Sequence, residues 1–433
     1  MPSLAEFQPA AIGEGAVLSR EENERLTRVS AGTPMGELFR RFWLPVLLSS
    51  ELPEPDCTPV RVTLLGEPLV AFRDTRGFVG LLGVHCPHRG ASLFFGRNEE
   101  GGLRCVYHGW KFNTEGRCVD MPNEPPASSF KDRVRHLAYP CVERGGILWT
   151  YMGPADRVPH LPELEWTLVP ESHRYVHKRF QASSYLQNVE GEVDSSHVSF
   201  LHRSLRPDYD GATVSGQRLL SRARHFAPTF DVRETDYGLV IGARRNWDDG
   251  QYYWRVTQFL MPSYTMIPSE PGSPISFTAA IPIDDTHMWG YTVTWRPDRP
   301  LTSEDVARIE SWTGIYAEVD PRTFFPVANM ANDYLIDREK QRHDSFTGIR
   351  GIREQDLAVQ EDQHGPIADR TMEHLGSSDT AIISMRRLLL RSIADLERGV
   401  EPIAAARGGA YRVRSAAFLA SRDAAFDELP LTL

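Results

Sequence analysis

Cys86 and His88, with one residue between them, and Cys105 and His108, with two between, stand in one stretch, HCPHRGASLFFGRNEEGGLRCVYHGWK, from His85 to Lys111. Thiolate and imidazole donors together suit zinc or an iron–sulfur cluster. A structural zinc finger usually keeps two like ligands in each arm. Here each arm carries one thiolate and one imidazole. That suits a [2Fe–2S] cluster with both cysteines on one iron and both histidines on the other, so that each loop reaches both metals.

The flanking residues sharpen this choice. Pro87 follows Cys86, and Gly90 and Gly109 come just after the two histidines. A rigid ring and side-chain-free positions let two loop tips approach one cluster with backbone N–H groups turned toward sulfur. The stretch resembles the Rieske domain of ring-hydroxylating and demethylating non-haem iron oxygenases, in which CPHRG and CxYHGWxF recur. The resemblance implies that Cys86, His88, Cys105 and His108 bind a Rieske [2Fe–2S] cluster.

A second string, Asn188-Val-Glu-Gly-Glu-Val-Asp194-Ser-Ser-His197-Val-Ser-Phe-Leu-His202, offers two histidines and a carboxylate. Such a set could form part of a two-His-one-carboxylate face, which leaves positions on Fe(II) open. On a regular α-helix the five-residue step from His197 to His202 turns the imidazoles about 140° apart. The helix must therefore bend, bulge or end between them if both are to meet one ion. Asp194 and His197, three apart, would share a helical face.

The same oxygenases carry this string after their Rieske domain. The likeness implies that His197 and His202 bind a mononuclear iron and that Asp194 is not a ligand. It would bridge a histidine of that site to a Rieske histidine of the neighbouring subunit. A carboxylate accepting N–H bonds from two ligand histidines fixes both rings and offers an electron a short path. The third ligand must come from far along the chain, and Asp356, Glu361, Asp362 and His364 all stand in residues 353–364, REQDLAVQEDQH. The family places its aspartate at the start of a D-x2-(V/I)-x-E type helix, and Asp356-Leu-Ala-Val359-Gln-Glu361 matches it. The following Asp362-Gln-His-Gly departs from the usual pattern of the phthalate dioxygenase branch, which keeps Asp362 open beside Asp356.

Two domains are expected to position these groups, because 433 residues exceed the roughly 250–300 at which one core stops growing. From Val60 short alternating runs separated by Gly-Glu, Asp-Thr-Arg-Gly and Arg-Gly-Gly turns describe a small antiparallel β domain over residues 43–153, with the cluster loops hung from its hairpins. Residues 1–42 lead into it through a short helix over 19–31, capped by Ser19 and continued loosely from Pro34 to Phe42. Residues 154–433 form the second domain, and its first part, 154–175, is a Pro- and Glu-rich connector. Strand-like runs follow at 176–185, 225–235, 237–247, 251–267, 274–283 and 287–295, then helical ones at 303–319 and 377–399. The last helix should bury a face containing residues 382, 385, 389, 393 and 396. The fold class is α+β, and the resemblance implies a helix-grip-type catalytic domain, an antiparallel sheet covered by helices.

Acidic residues outnumber basic ones, 58 to 48, which argues against nucleic acid as a partner. The N-terminal stretch reads as no export signal, no apolar run approaches the ~20 residues of a membrane span, and the three remaining cysteines, Cys57, Cys118 and Cys141, are single residues suited to a reducing compartment. A cytoplasmic protein without membrane contact is expected.

A one-electron carrier and an iron with vacant positions together serve dioxygen chemistry. No G-x-G-x-x-G unit or flavin signature is present, so a separate NAD(P)H-dependent reductase, with or without a ferredoxin, must supply electrons. The resemblance is closest to the phthalate 4,5-dioxygenase and phenoxybenzoate dioxygenase branch. It implies O2 and a small aromatic, carboxylated substrate, and a homotrimer or stacked trimers (a hexamer) in which electrons cross between subunits. Arg224, Arg244 and Arg255 are candidates to hold the carboxylate, and Ser195 to face substrate. Oxidative O- or N-demethylation on the same scaffold is the second reading, and an electron carrier with an attached ligand-binding domain is the third.

Overall fold

The computed structural model describes residues 17–206, 225–248 and 250–429. Residues 1–16, which hold most of the stretch read for an export signal, and Arg224 lie outside them. The chain opens with two short helices, α1 (Arg20–Thr27) and α2 (Pro34–Phe39). Ser19 caps the first reciprocally with Glu22: each side chain bonds the other's backbone N–H, at 3.1 and 2.8 Å. The expected loose continuation is a separate helix, begun by Thr33 and by Pro34 in its first turn, where a missing N–H costs nothing.

Three small antiparallel sheets follow. β1 (Trp43–Leu48) pairs with β11 (Ile147–Tyr151), which also pairs with β10 (Cys141–Arg144). β2 (Val60–Leu64), β3 (Glu67–Arg73), β4 (Val79–Gly83) and β9 (Ala138–Tyr139) make the second, in that order. β5 (Arg97–Glu99), β6 (Gly102–Arg104), β7 (Lys111–Phe112) and β8 (Cys118–Asp120) make the third. A compact apolar cluster including Val70, Phe72, Leu82, Leu93, Leu103 and Phe112 fills the space beneath the two cysteine loops.

After the four-residue helix α3 (Glu165–Leu168) comes the large sheet, eight antiparallel strands. β12 (Arg174–Gln181) is one edge, followed by β18 (Met288–Trp295), β17 (Ile275–Pro282), β16 (Tyr264–Met266), β15 (Gln251–Leu260), β14 (Gly238–Asn246) and β13 (Thr229–Thr235). The run 251–267, expected as one strand, is two. The chain turns at Met261, Pro262 and Ser263, because proline has no N–H to give a central ladder. An eighth strand, β19 (Ala416–Ser421), was not foreseen; it occupies the free half of the β15 edge from Gln251 to Val256.

Helices cover this sheet. α4 (Tyr185–Val193) packs on β15, β16 and β17, and the long helix Thr380–Glu397 packs on β13, β14, α1 and α2. That long helix buries Met385, Leu389 and Ile393 as its periodicity required, with Ile382 and Leu396 half-buried against the same core. The helix expected over 303–319 ends at Ile309, where Trp312 adopts a left-handed conformation before Thr313-Gly314. No helix among the described residues is long and apolar enough to cross a membrane.

One buried ion cluster joins these parts. Glu190 of α4 accepts from Arg370 at 2.7 and 2.8 Å and from Arg386 of the long helix at 2.7 Å, while Arg370 also reaches Asn23 of α1 at 3.1 Å. Both arginine side chains are 3% exposed or less, so neither charge has water to fall back on. Arg386 also holds Glu373, at 2.6 and 2.8 Å, so Glu190→Ala strands the fully buried Arg370 guanidinium alone and is expected to cost about 3–5 kcal/mol. A drop in the guanidinium-denaturation midpoint, followed by tryptophan fluorescence, checks this; an unchanged midpoint removes Glu190 from the framework.

Candidate metal centres

The loop Cys86–Gly90 connects β4 to β5, and Cys105–Gly109 connects β6 to β7. Although their Cys–His spacings differ, the two are built alike. Each cysteine N–H donates to the carbonyl five residues on, Ala91 and Trp110 respectively, at 2.8 Å. Each glycine N–H, Gly90 and Gly109, donates back to its cysteine carbonyl at 2.9 Å. Closing that ring needs a left-handed residue, and both glycines supply it, with φ of +75° and +78°. At Gly109 a Cβ would also stand 2.6 Å from Pro122 Cγ.

The side chains meet in pairs. Cys86 and Cys105 are buried and in contact, and burial, followed by the neighbouring Cys105 and Cys118, pushes the Cys86 thiol up. The imidazoles of His88 and His108 lie edge to face with centroids 4.5 Å apart. His88 stacks on Trp110 at 4.4 Å, and Trp110 is anchored by its N–H to Asn123 Oδ1 at 2.8 Å. Arg104 fixes the second loop, donating to Gly109 O and to Asp120 at 2.8 and 2.7 Å.

Two observations test which metal fits. His108 Nδ1 is buried with no hydrogen-bond partner, as a lone pair kept for a metal would be. A single tetrahedral zinc with bonds of about 2.0–2.3 Å would hold all its donor atoms within ~4 Å of one another. No three of these four residues bring their donors within 4.8 Å. Sulfur meets sulfur and imidazole meets imidazole, the pairing that a two-iron cluster with unlike ends needs.

The second group lies at the end of α4. That helix stops at Val193 with Asp194 in extended conformation, and His197 opens a separate 3-10 turn, His197–Ser199. The break required by the five-residue spacing is therefore present. Asp194 and His197 meet across it at 3.3 Å, rather than along a shared helical face. His197 Nε2 and His202 Nε2 are 3.1 Å apart, and Asp356 Oδ1 lies 3.8 and 3.2 Å from them.

Asp356 sits within the helix Ile352–Glu361, a turn inside its beginning rather than at its start. Burial opposes its charge, but the His202 hydrogen bond and nearby Arg353 hold its carboxyl below the usual carboxylate range. Asp362 and His364 are exposed. Glu361 is spent on the Ala182 N–H and the Tyr334 hydroxyl, at 2.9 and 2.5 Å. Among the described residues, His197, His202 and Asp356 are the one group of three or more such donors close enough to share an ion.

Three further residues support this group and were missed in the sequence. Gln355 Oε1 faces His202 Nδ1 at 2.7 Å. Arg353, 1% exposed, stands 3.5 Å from Asp356 Oδ2 and 2.8 Å from Glu192 of α4. Arg353 and Asp356 are three apart on a helix with buried charges, a signal present in the string REQD but read only for its aspartate.

The candidate arginines separate by sheet face. Arg244 leans over Tyr252 and Trp254 and stands 3.9 Å from Asp231. Its neighbour Arg245 points to the opposite face, where it donates to the Ser195 carbonyl and hydroxyl and reaches Ser199. Ser195 is thereby buried against Arg245 rather than turned to a ligand. Arg255, paired in register with Ala243, shares the Arg245 face. It is 7% exposed, has no hydrogen-bond or ion-pair partner among the described residues, and its Nε is an orphan.

Each group lies in a segment that matches a known family model. Residues 42–131 match the family model of the Rieske [2Fe-2S] domain, and residues 150–422 match the family described as LigXa C-terminal domain like. The chain is 41% identical to the oxygenase subunit of 3-chlorobenzoate-3,4-dioxygenase from Comamonas testosteroni, covering 86% of this chain and 88% of that one. It is 39% identical to the phthalate 4,5-dioxygenase oxygenase subunit of Pseudomonas putida, covering 89% of each. It is also 33% identical to the 5,5'-dehydrodivanillate O-demethylase oxygenase subunit of Sphingobium sp., covering 90% and 84%. In fold it resembles the oxygenase–ferredoxin complex of carbazole 1,9a-dioxygenase, at TM-score 0.56 and 18% identity, over 86% of this chain and 94% of that one.

Proposed function

This chain belongs to the oxygenase subunits of multicomponent Rieske non-haem iron oxygenases, and from that premise we propose that it hydroxylates the ring of a small aromatic carboxylate. When bound, its two groups supply a one-electron carrier and an iron(II) with positions open to dioxygen and substrate. Cys86, Cys105, His88 and His108 would hold the cluster, and His197, His202 and Asp356 the mononuclear iron.

Each residue has a physical task. Asp194 orients His197 through Nδ1 and lies at the end of a helix, 20% exposed, where a Rieske histidine of a neighbouring subunit can hydrogen-bond to it. That contact requires an oligomer, which the family resemblance makes a homotrimer or stacked trimers, with electrons supplied by an NAD(P)H-dependent reductase directly or through a ferredoxin. The cytoplasm, which holds NAD(P)H, is its compartment.

Arg255 carries the assignment of substrate charge. A guanidinium on a residue 7% exposed, with its Nε buried and without a partner among the described residues, is costly unless an anion meets it. A ring carboxylate anchored there would sit on the sheet face where Arg245 meets Ser195, the neighbour of Asp194. Arg255→Met is expected to lose about 2 kcal/mol or more, ~30-fold in kcat/KM, on the carboxylate substrate. The methyl ester or amide of that substrate should lose far less. Equal losses on both would remove the anchoring role.

The deciding experiment offers benzoates, phthalates and methoxybenzoates to the protein with a reductase, NADH and O2, and identifies products. A dihydrodiol or catechol supports ring hydroxylation. Formaldehyde released in step with O2 uptake from a methoxybenzoate favours oxidative O-demethylation instead, the reading that the O-demethylase relative keeps open. No O2 uptake with any of them would sink both.

A further inference from the structure

The two imidazoles of the mononuclear site are held by unlike partners. His197 Nδ1 faces the Asp194 carboxylate at 3.3 Å, in a contact where both side chains are 20% or more exposed. His202 Nδ1 faces Gln355 Oε1 at 2.7 Å, and Gln355 is 7% exposed. Gln355 has no rotational choice, because its Nε2 donates to the Ile349 carbonyl at 2.9 Å. With the amide nitrogen committed, the amide oxygen must face His202. His202 then carries its proton on Nδ1 and offers the Nε2 lone pair on the side of Asp356.

We propose that Gln355 is the positioning residue that retains the mononuclear metal, by setting the tautomer and ring plane of His202. Asp194, by contrast, serves electron entry and contributes little to retention. Water can replace a long carboxylate contact whose side chains are 20 and 23% exposed, and it cannot enter the buried Gln355–His202 pair without a cavity. Gln355 and Asp356 are also consecutive on one helix. One backbone segment therefore holds the ion twice, directly through Asp356 and indirectly through His202. The proposal rests on the reading of His197, His202 and Asp356 as ligands.

The test is anaerobic competition titration of Co(II) or Fe(II) into protein stripped of its mononuclear metal but keeping its cluster, with melting temperature and cluster EPR as controls. Gln355→Leu should bind the metal ~10–100-fold more weakly, the usual cost of losing a ligand's supporting partner, with both controls unchanged. Gln355→Glu, which restores an acceptor, should recover most of that affinity, and Asp194→Ala should bind like wild type. Wild-type affinity in Gln355→Leu overturns the proposal. If Gln355→Leu also melts early, Gln355→Glu decides: affinity near wild type supports the proposal, and a tenfold loss at an unchanged melting temperature overturns it. His202→Ala separates the two levels. Undiminished binding there removes the ligand reading itself, whereas binding lost there but intact in Gln355→Leu removes only the role of Gln355.

Discussion

Asp194→Ala is expected to keep all of the protein's iron and lose its turnover. Besides His197 Nδ1, the carboxylate accepts the backbone N–H of Ser196 at 2.6 Å and that of His197 at 3.3 Å, bonds local to a turn that water can take over. None of them reaches Cys86, Cys105, His88 or His108 in the same chain, so the cluster's spectrum should not change. Removing the carboxylate does break the hydrogen-bonded route proposed between a histidine on one subunit and His197 on the next. Steady-state turnover should fall by more than about 100-fold, the upper end for a supporting partner. In a stopped-flow experiment the reduced cluster, mixed with substrate and O2, should fail to reoxidise on the catalytic timescale. Reoxidation at the wild-type rate would show that electrons reach the second site by another path.

Asp356→Ala should act in the opposite way, emptying the mononuclear site while sparing the cluster. Removing the carboxylate leaves two imidazole nitrogens 3.1 Å apart with no anionic donor between them and Arg353. Metal analysis should fall from three irons per chain to the two of the cluster, and turnover should fall to background. Asp362→Ala is the informative control. Asp362 is exposed at the end of the same helix, and its loss should leave both numbers at wild type. Iron lost in the Asp362 variant and kept in the Asp356 variant would exchange their roles.

How much of this was legible in the sequence depended on whether a feature is local. The cluster loops are local: ligands, glycines and turn all lie within five residues of each other, so the string carries the geometry. The break after α4 was legible too, because two histidines five apart cannot meet on an unbroken helix. Asp356 was narrowed by resemblance alone. Nothing in residues 353–364 says which carboxylate faces a pair of histidines more than 150 positions earlier. The supports Gln355, Arg353 and Glu192 were missed for the same reason, since each is defined by a partner on another element. Among the arginines, Arg245 was not singled out although strand alternation places it opposite Arg244, and only the pairing of Ala243 with Arg255 tells which face Arg255 joins. The strand β19 was unreadable in isolation, because it is called into existence by the open edge of β15.

The adjacency of Arg244 and Arg245 on β14 has a consequence for how this scaffold can change its chemistry. In a pleated ribbon a one-residue slip carries every side chain to the other surface. Were β14 shifted by one position against β15, Arg244 would come to lie over Ser195 and Arg245 would face the tryptophan side, with Arg255 now sharing its surface with a different neighbour. Leu239 and Ile241, buried on the same face as Arg245, would be turned out with it, so the apolar core of β14 also fixes which arginine a ligand can meet.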